Sequence, residues 1–359
     1  MDVTGLRAEF PVLAATAYLN AGTDGPLPAS AARASAQELE RELRAGRAAE
    51  HFKRRGELGR ELRGGYARAL GAEPLDVAIT TCTTEGIGQV IGGLELAPGD
   101  EVVTSDEEHP GLLGPLGAAR QLRGVEVREV PLDEVANAVG PRTRLVACSH
   151  VGWKSGSFAP VELRELEVPV LLDGAQGVGA VQVDVNALGC DAYAGAGQKW
   201  LCGPDGTGLL WVAPELRARL AVSRRGYGNL ADPDAGLAAA VQPDGRRFDA
   251  PSLGAETLAC ALGALALLES AGWGDVHVRA RTLCSRLAVM LEEHGREVAR
   301  RGDTTLVSFH SPDPEGERAR LAEAGVVLRN IPGRPWLRAS VGAWNDEGDL
   351  ERLLGGLTI

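Results

Sequence analysis

Between residues 76 and 213 the chain alternates short runs rich in β-branched and apolar residues with longer mixed segments. The runs are "DVAITT", "DEVVTSD", "VEVREVPL", "RLVACSHV", "VPVLLD", "DAYAGA" and "GTGLLWVA". Seven strands with mostly crossover-length connections predict an α/β fold with a mostly parallel seven-stranded sheet and helices on both faces. The runs around Ala147 and Leu171 are nearly continuous apolar stretches, which places them at the sheet centre, where both faces are covered. Residues 29–71 ahead of the sheet read as helix with a solvated, charged face. Beyond it, "PSLGAETLACALGALALLESAGWGDVHVRARTLCSRLAVMLEEHG" reads as two helices. The segments "TTLVSFHS", "GERARLAEAGVVLRN" and "PWLRASVGAWNDEGDLERLLGGL" then read as strand, helix, strand and helix, a small C-terminal α/β domain. The division falls near residue 250, with a large domain over residues 21–250 and a small one over 251–359.

A chain of 359 residues has room for one large domain and one smaller one. The net charge of −12, with no cluster of basic and aromatic residues, argues against nucleic acid as a partner. No basic segment followed by an apolar run opens the sequence, and the longest apolar run, "LACALGALALL", is too short to span a bilayer. No membrane partner is expected. Six cysteines, none after Cys284, lie far apart without metal-ligand spacing. The expectation is no metal, reduced thiols and a cytoplasmic protein.

In an open parallel sheet, ligands bind beyond the carboxyl ends of the strands. The residues just past each predicted strand are therefore informative. After "AITT" come Thr83 and Thr84 at a helix start, a ready anion cradle. After "EVVTSD" comes His109, after "LVACSHV" comes Trp153, and after "VPVLL" come Asp173 and Gln176. After "AYAGA" come Gln198 and Lys199, in the glycine-rich stretch "GAGQKWLCGPDGTG". Each alone has an ordinary structural use, but together they bring a phosphate cup, an imidazole, an indole, a carboxylate with an amide, and a lysine to one rim. Pyridoxal 5′-phosphate needs that whole set. A lysine carries it, an aspartate pairs with its ring nitrogen, a ring stacks on it, and a helix N-terminus holds its phosphate.

These motifs, with "AYLNAGTDGPLP", "DEEHPGL", "SHVGWKSG", "LLDGAQGVGAVQVDVNALGCD", "RRFDAPS" and "LRASVGAWND", make the sequence similar to the class V aminotransferase family. That family belongs to the fold-type I pyridoxal-phosphate enzymes, with cysteine desulfurases, isopenicillin N epimerase-like proteins and cysteine or cystine C–S lyases. The resemblance runs over nearly the whole chain. It implies that Lys199 carries the cofactor, Asp173 pairs with the pyridine nitrogen, His109 stacks on the ring and Gln176 bonds to the phenolic oxygen. It further implies that Thr83, Thr84 and Gln198 hold the phosphate, and that Arg338 binds the substrate carboxylate as a bidentate pair, with Asn20 and Trp153 at the substrate pocket. Ser252 matches a position whose hydroxyl reaches the partner subunit's phosphate, so a homodimer with shared sites is implied, with residues 1–20 as an arm packing on the small domain.

Three departures bear on the reaction. The family often has Ser-Gly-His-Lys where this chain has Ala196-Gly197-Gln198-Lys199; Trp153 stands in a turn resembling that of the C–S lyases; and only "NIPGRPWL" separates Arg329 from Arg338. Desulfurases carry a catalytic cysteine on a loop at that last place, and here there is none to take up sulfur. The leading expectation is α,β-elimination from cysteine, cystine or a cysteine conjugate, giving pyruvate, ammonia and a sulfur leaving group. Transamination or epimerisation of a small amino acid is the alternative, since both begin by breaking the same Cα–H bond. A third reading is a binding protein that keeps the cofactor site without turnover. Arg225 and Tyr227, in "RRGYGN", are further pocket candidates, with a surface loop as the other reading.

Overall fold

The computed structural model describes residues 1–357. After a two-residue strand, β1 (Ala17–Tyr18), the seven runs form β2 (Val77–Thr80), β3 (Glu101–Ser105), β4 (Glu126–Val130), β5 (Thr143–Ser149), β6 (Val170–Asp173), β7 (Ala192–Ala196) and β8 (Gly208–Val212). Their spatial order is β2-β8-β7-β6-β5-β3-β4. β8 runs antiparallel to both its neighbours, and the other four pairings are parallel. Six carboxyl ends therefore open on one edge.

Successive side chains of a strand point to opposite faces, and each face has its own core. Val146, Leu172, Tyr193 and Leu209 join one, packed against the helices Ala49–Leu70 and Ala255–Ala271. Ala147, Leu171, Ala194 and Leu210 join the other, under the helices Thr83–Gly93 and Pro110–Arg123. β6, flanked by β5 and β7, is the middle strand, as the apolar run at Leu171 requires. The helix Ala49–Leu70 is stabilised through Leu58, Leu62, Tyr66 and Leu70, a stripe at i, i+4 spacing. Each such fully buried side chain contributes about 1.5–3 kcal/mol. The helix stops at Gly71, whose φ of 64° is the left-handed cap that glycine adopts freely.

The segment "RRFD" is anchored by a buried ion pair. Asp249 accepts from Arg63 Nη1 (3.0 Å) and Nη2 (2.7 Å) and from the Ile79 backbone N–H (2.9 Å), so residues 245–250 lie along β2. Removing one partner of such a pair costs about 3–5 kcal/mol, because it strands a buried charge.

A third core, around Leu283, Leu287, Phe309, Leu337, Leu350 and Leu353, belongs to the C-terminal part. There β9 (Leu306–His310), β11 (Arg329–Asn330) and β12 (Trp336–Ser340) form an antiparallel sheet in the order β11-β12-β9, while β10 (Val326–Val327) pairs in parallel with β1. The pattern of the chain predicts a helix through residues 316–330; instead the helix Pro314–Glu323 ends early and gives way to two-residue strands, too short to carry a periodic signal. The helix Ala255–Ala271 begins just after the expected division at 250, but its Leu258, Leu265 and Leu268 pack into the core of the large sheet. The first residues lie against the C-terminal part. Arg7 donates to both carboxylate oxygens of Asp349 (2.7 and 3.0 Å) and to the Trp344 carbonyl (2.9 Å).

Candidate active site

Lys199 comes after β7 in a loop that folds back on itself. Gly203 N–H donates to the Gly197 carbonyl (2.9 Å), Cys202 N–H to the Lys199 carbonyl (3.1 Å), and Cys202 takes a φ of 53°. A second segment presses on this loop: Gly25 N–H donates to the Gln198 carbonyl (2.7 Å), and a Cβ on Gly25 would lie 2.0 Å from the Lys199 carbonyl oxygen. Only glycine tolerates that approach. The lysine is held between two backbones and, among the described residues, makes no ion pair. Burial pushes its ammonium down to about 8, against the opposing pull of Asp173 and Asp24 and with further lowering from Arg338 and Arg329.

Asp173 ends β6 beside Ser149 of β5 and Ala194 of β7. It is buried, its Oδ1 accepting from the Ala175 backbone N–H (2.9 Å). Burial raises its pKa, while Lys199 and that hydrogen bond lower it. His109 caps the helix Pro110–Arg123, its Nδ1 accepting from Gly111 N–H (3.0 Å). The ring stands edge-on to Trp153, with centroids 5.1 Å apart. Burial first, then Lys199, Arg329 and Arg338, hold this imidazole at about 4, so it is neutral over the physiological range.

Thr83 and Thr84 open the helix Thr83–Gly93. Cys82, at the cap position, makes no side-chain capping hydrogen bond, and Thr83 Oγ1 is buried without a partner among the described residues. The first N–H groups of this helix are thus available to an anion, with the helix dipole in support. Gln198 Oε1 is likewise buried and unpaired. Gln176 is more committed: its Nε2 donates to the Gly22 carbonyl (2.7 Å) and its Oε1 accepts from Trp200 Nε1 (2.9 Å), leaving one amide hydrogen.

Arg338, on β12, is fully buried. Its Nη1 donates to the Trp153 carbonyl (2.7 Å), while Nε and Nη2, which share one edge of the guanidinium, have no partner among the described residues. That free edge matches a carboxylate. A Cβ on Gly22 would lie 2.9 Å from Arg338 Nη2 and 2.8 Å from Ser340 Oγ, so the turn at residues 20–25 passes directly over it. Asn20 bridges to Ser340 in parallel fashion, and its side-chain Oδ1 accepts from Thr23 Oγ1 (2.8 Å).

Ser252 does not join this group within one chain. It is exposed on a groove of about 660 Å³ shared with Phe52, Arg55, Tyr227 and Leu253. Tyr227 is exposed on the same groove, while Arg224 pairs with Glu85 of the helix Thr83–Gly93.

Three residues of the site were not singled out from the sequence. Glu108 is buried behind His109, its carboxylate accepting from Ser149 N–H (2.8 Å), Ser149 Oγ (2.7 Å) and Ser105 Oγ. Burial pushes it up to about 7; the acidic run ahead of the histidine was its signal. Arg329 lies directly opposite Arg338 in the β11–β12 register, and its guanidinium sits 5.2 Å from the centre of the Trp153 ring. Burial and then Asp205 raise the pKa of Asp24, against the opposing pull of Lys199 and Arg329. Nothing local distinguishes Arg329 and Asp24 in the sequence.

A half-buried lysine, an aspartate one strand away, an imidazole, an open helix N-terminus and an arginine with a free edge define a lysine-centred enzyme site on an α/β sheet. The sequence model of the aminotransferase class-V family matches residues 18–353, and the chain belongs to that family. A probable cysteine desulfurase of Pseudomonas aeruginosa is 34% identical over 325 residues, covering 78% of this chain and 76% of the relative. An isopenicillin N epimerase of Streptomyces clavuligerus is 32% identical over 220 residues, covering 55% and 53%. Among solved structures, the cystine C–S lyase C-DES in complex with its product cysteine persulfide matches with a TM-score of 0.91 at 28% identity, covering 96% of this chain and 98% of that one. A C-DES variant with glycine covalently linked to its PLP cofactor matches with a TM-score of 0.92 at 28% identity, covering 97% and 98%.

Proposed function

We propose that this chain is a pyridoxal-phosphate-dependent C–S lyase that cleaves cystine by α,β-elimination. One observation carries the choice of substrate: two arginines, Arg329 and Arg338, face the same cleft from directly opposed positions of a hairpin. Like charges so placed repel, and each loses part of its hydration on burial. A ligand with two carboxylates relieves both costs. The hairpin itself is tight, with Ile331 N–H donating to the Trp336 carbonyl (2.8 Å), and holds no cysteine. This supports elimination over sulfur transfer to a protein thiol.

The orphaned atoms fit the cofactor. Thr83, Thr84 and the helix N-terminus would hold its phosphate, Asp173 its ring nitrogen, His109 one face of its ring, and Lys199 is its point of attachment. When bound, the group supplies a sink for the electron pair left by Cα–H cleavage. The free edge of Arg338 grips the α-carboxylate through two parallel hydrogen bonds and so fixes Cα beside Lys199. The neutral Lys199 amine takes the α-proton. Sulfur departs from Cβ as a persulfide anion, a leaving group stable enough to need no acid. Cystine and water then give pyruvate, ammonia and cysteine persulfide.

Ser252 and Tyr227, exposed away from Lys199 in a single chain, fit the expected homodimer in which each subunit completes its partner's phosphate site. Purified holoprotein should release pyruvate from cystine in step with persulfide, and a Lys199→Ala variant should not. Conversion of the cofactor to its amine form without sulfur release would establish transamination instead.

A further inference from the structure

The peptide between Trp153 and Lys154 is gripped at both of its polar ends. Its carbonyl accepts from Arg338 Nη1 (2.7 Å), and its N–H, that of Lys154, donates to Glu107 Oε2 (3.2 Å). In a trans peptide these two groups point in opposite directions. The carboxylate of Glu107 and the guanidinium of Arg338 therefore stand at opposite edges of one rigid unit. The same carboxylate oxygen accepts from Ser155 N–H (2.9 Å). A Cβ on Gly152 would lie 2.7 Å from it, so the turn closes on the carboxylate only because residue 152 is glycine. Glu107 is itself fixed just past β3, its N–H donating to Ser105 Oγ (3.2 Å). The C-terminal sheet holds the turn as well. Ser308 Oγ, opposite Arg338 in the β9–β12 register, donates to the Lys154 carbonyl, and Thr304 Oγ1 donates to the Gly156 carbonyl (2.8 Å).

We propose that Glu107 is a positioning residue for substrate binding: it sets the orientation of the Trp153–Lys154 peptide and through it aims the free edge of Arg338 at the substrate carboxylate. Among the described residues the Trp153 carbonyl is the one hydrogen-bond acceptor that Arg338 finds, and a guanidinium with a single anchor turns with that anchor. Hydrogen bonds in series also polarise one another, so a carboxylate on the N–H makes the carbonyl a stronger acceptor. Without Glu107 the peptide is free to rotate, and the two parallel bonds that a carboxylate needs lose their alignment. This deepens the proposed reading and rests on it for the carboxylate at Arg338.

Glycine carries an amino group and a carboxylate but nothing to eliminate, so its binding is separate from turnover. It is titrated into the pyridoxal-phosphate holoenzyme while the visible absorbance of the cofactor is followed, and the cofactor affinity of each apoprotein is measured beside it. Glu107→Ala, and Glu107→Asp with its charge one methylene short of the turn, should each weaken glycine binding about tenfold, the value of one charge-assisted hydrogen bond. Cofactor affinity should stay within about twofold of wild type. Glu107→Gln, whose Oε1 can still accept from both backbone N–H groups, should lose less than about threefold. An unchanged glycine affinity in either of the first two variants overturns the role. So does a parallel loss of glycine and cofactor affinity, which marks a general loosening of the fold, or a Glu107→Gln variant as weak as Glu107→Ala. No absorbance response to glycine in wild type overturns the carboxylate site at Arg338 and the role with it. If the variants behave as stated but cystine yields no pyruvate, Glu107 keeps its role and the lyase reading fails.

Discussion

The two ends of the site are built differently. The phosphate end comes from one strand-to-helix junction: β2 stops, Cys82 leaves the helix start uncapped, and Thr83 and Thr84 stand ready within a few residues of each other. The carboxylate end is assembled from three distant segments, the turn at residues 20–25, the turn at Trp153 and the β11–β12 hairpin, which meet through the Arg338 to Trp153 hydrogen bond and the Asn20 to Ser340 bridge. A site made from one junction obeys local rules of capping and dipole. A site made from three segments depends on how the C-terminal sheet docks on the large one. On the proposed reading, cofactor binding belongs to the sheet itself, whereas substrate choice belongs to the contact between its two parts.

Substitutions put this division at risk, and the largest effect should come from its centre. Lys199→Ala should lower pyruvate formation from cystine by about 10³-fold or more, the contribution of a positioned base, with the folded state unchanged by circular dichroism. Next comes the carboxylate end. Arg338→Lys keeps the charge but loses the fork, and should lower kcat/KM for cystine about a hundredfold while leaving cofactor affinity within about twofold. Arg329→Gln should cost about tenfold with cystine and almost nothing with the mixed disulfide of cysteine and mercaptoethanol, whose tail has no charge. At the phosphate end, Thr83→Val should weaken cofactor affinity about fivefold without altering the ratio between those two substrates. A change in that ratio would show that the two ends are not independent.

The smallest effect is a pH shift at Lys199, which lies between the two ends. Only the neutral amine can add to the cofactor's aldehyde, and burial holds this ammonium at about 8. The rate at which the apoprotein captures pyridoxal phosphate should therefore rise with pH, with its midpoint near 8 rather than near the ordinary lysine value of about 10.4. Asp173 favours the charged lysine, so Asp173→Asn should move the midpoint lower. A midpoint that moved upward would reverse the assigned sign of that interaction.

Much of the fold was legible because its signals are local. Continuous apolar runs at Ala147 and Leu171 marked the central strands, and the residues after each strand end marked the rim. The reversal of β8 was not legible, since the run "GTGLLWVA" reads the same in either direction. The strands β10 and β11 are two residues each, shorter than any period. Lys199, Asp173, His109 and Arg338 could be named from motif and resemblance, and the structure brings them to one cleft. Glu108 was visible as a letter but not as a buried acid, because its burial comes from Ser105 and Ser149 on two different strands.

The amino-acid order alone carries the inventory: seven strands, an acidic chain with no cysteine beyond Cys284, and a lysine set among glycines. Periodicity and turn chemistry act over a few residues, so a sequence displays them directly. Folding in three dimensions is needed to put Arg329 in the site beside Arg338, and to pin the lysine loop under Gly25. Asp24 and Gly25 come from the start of the chain, Lys199 from its middle and the two arginines from near its end. Bringing them together depends on strand register and on the docking of one core against another, which side-chain packing sets and no local pattern encodes.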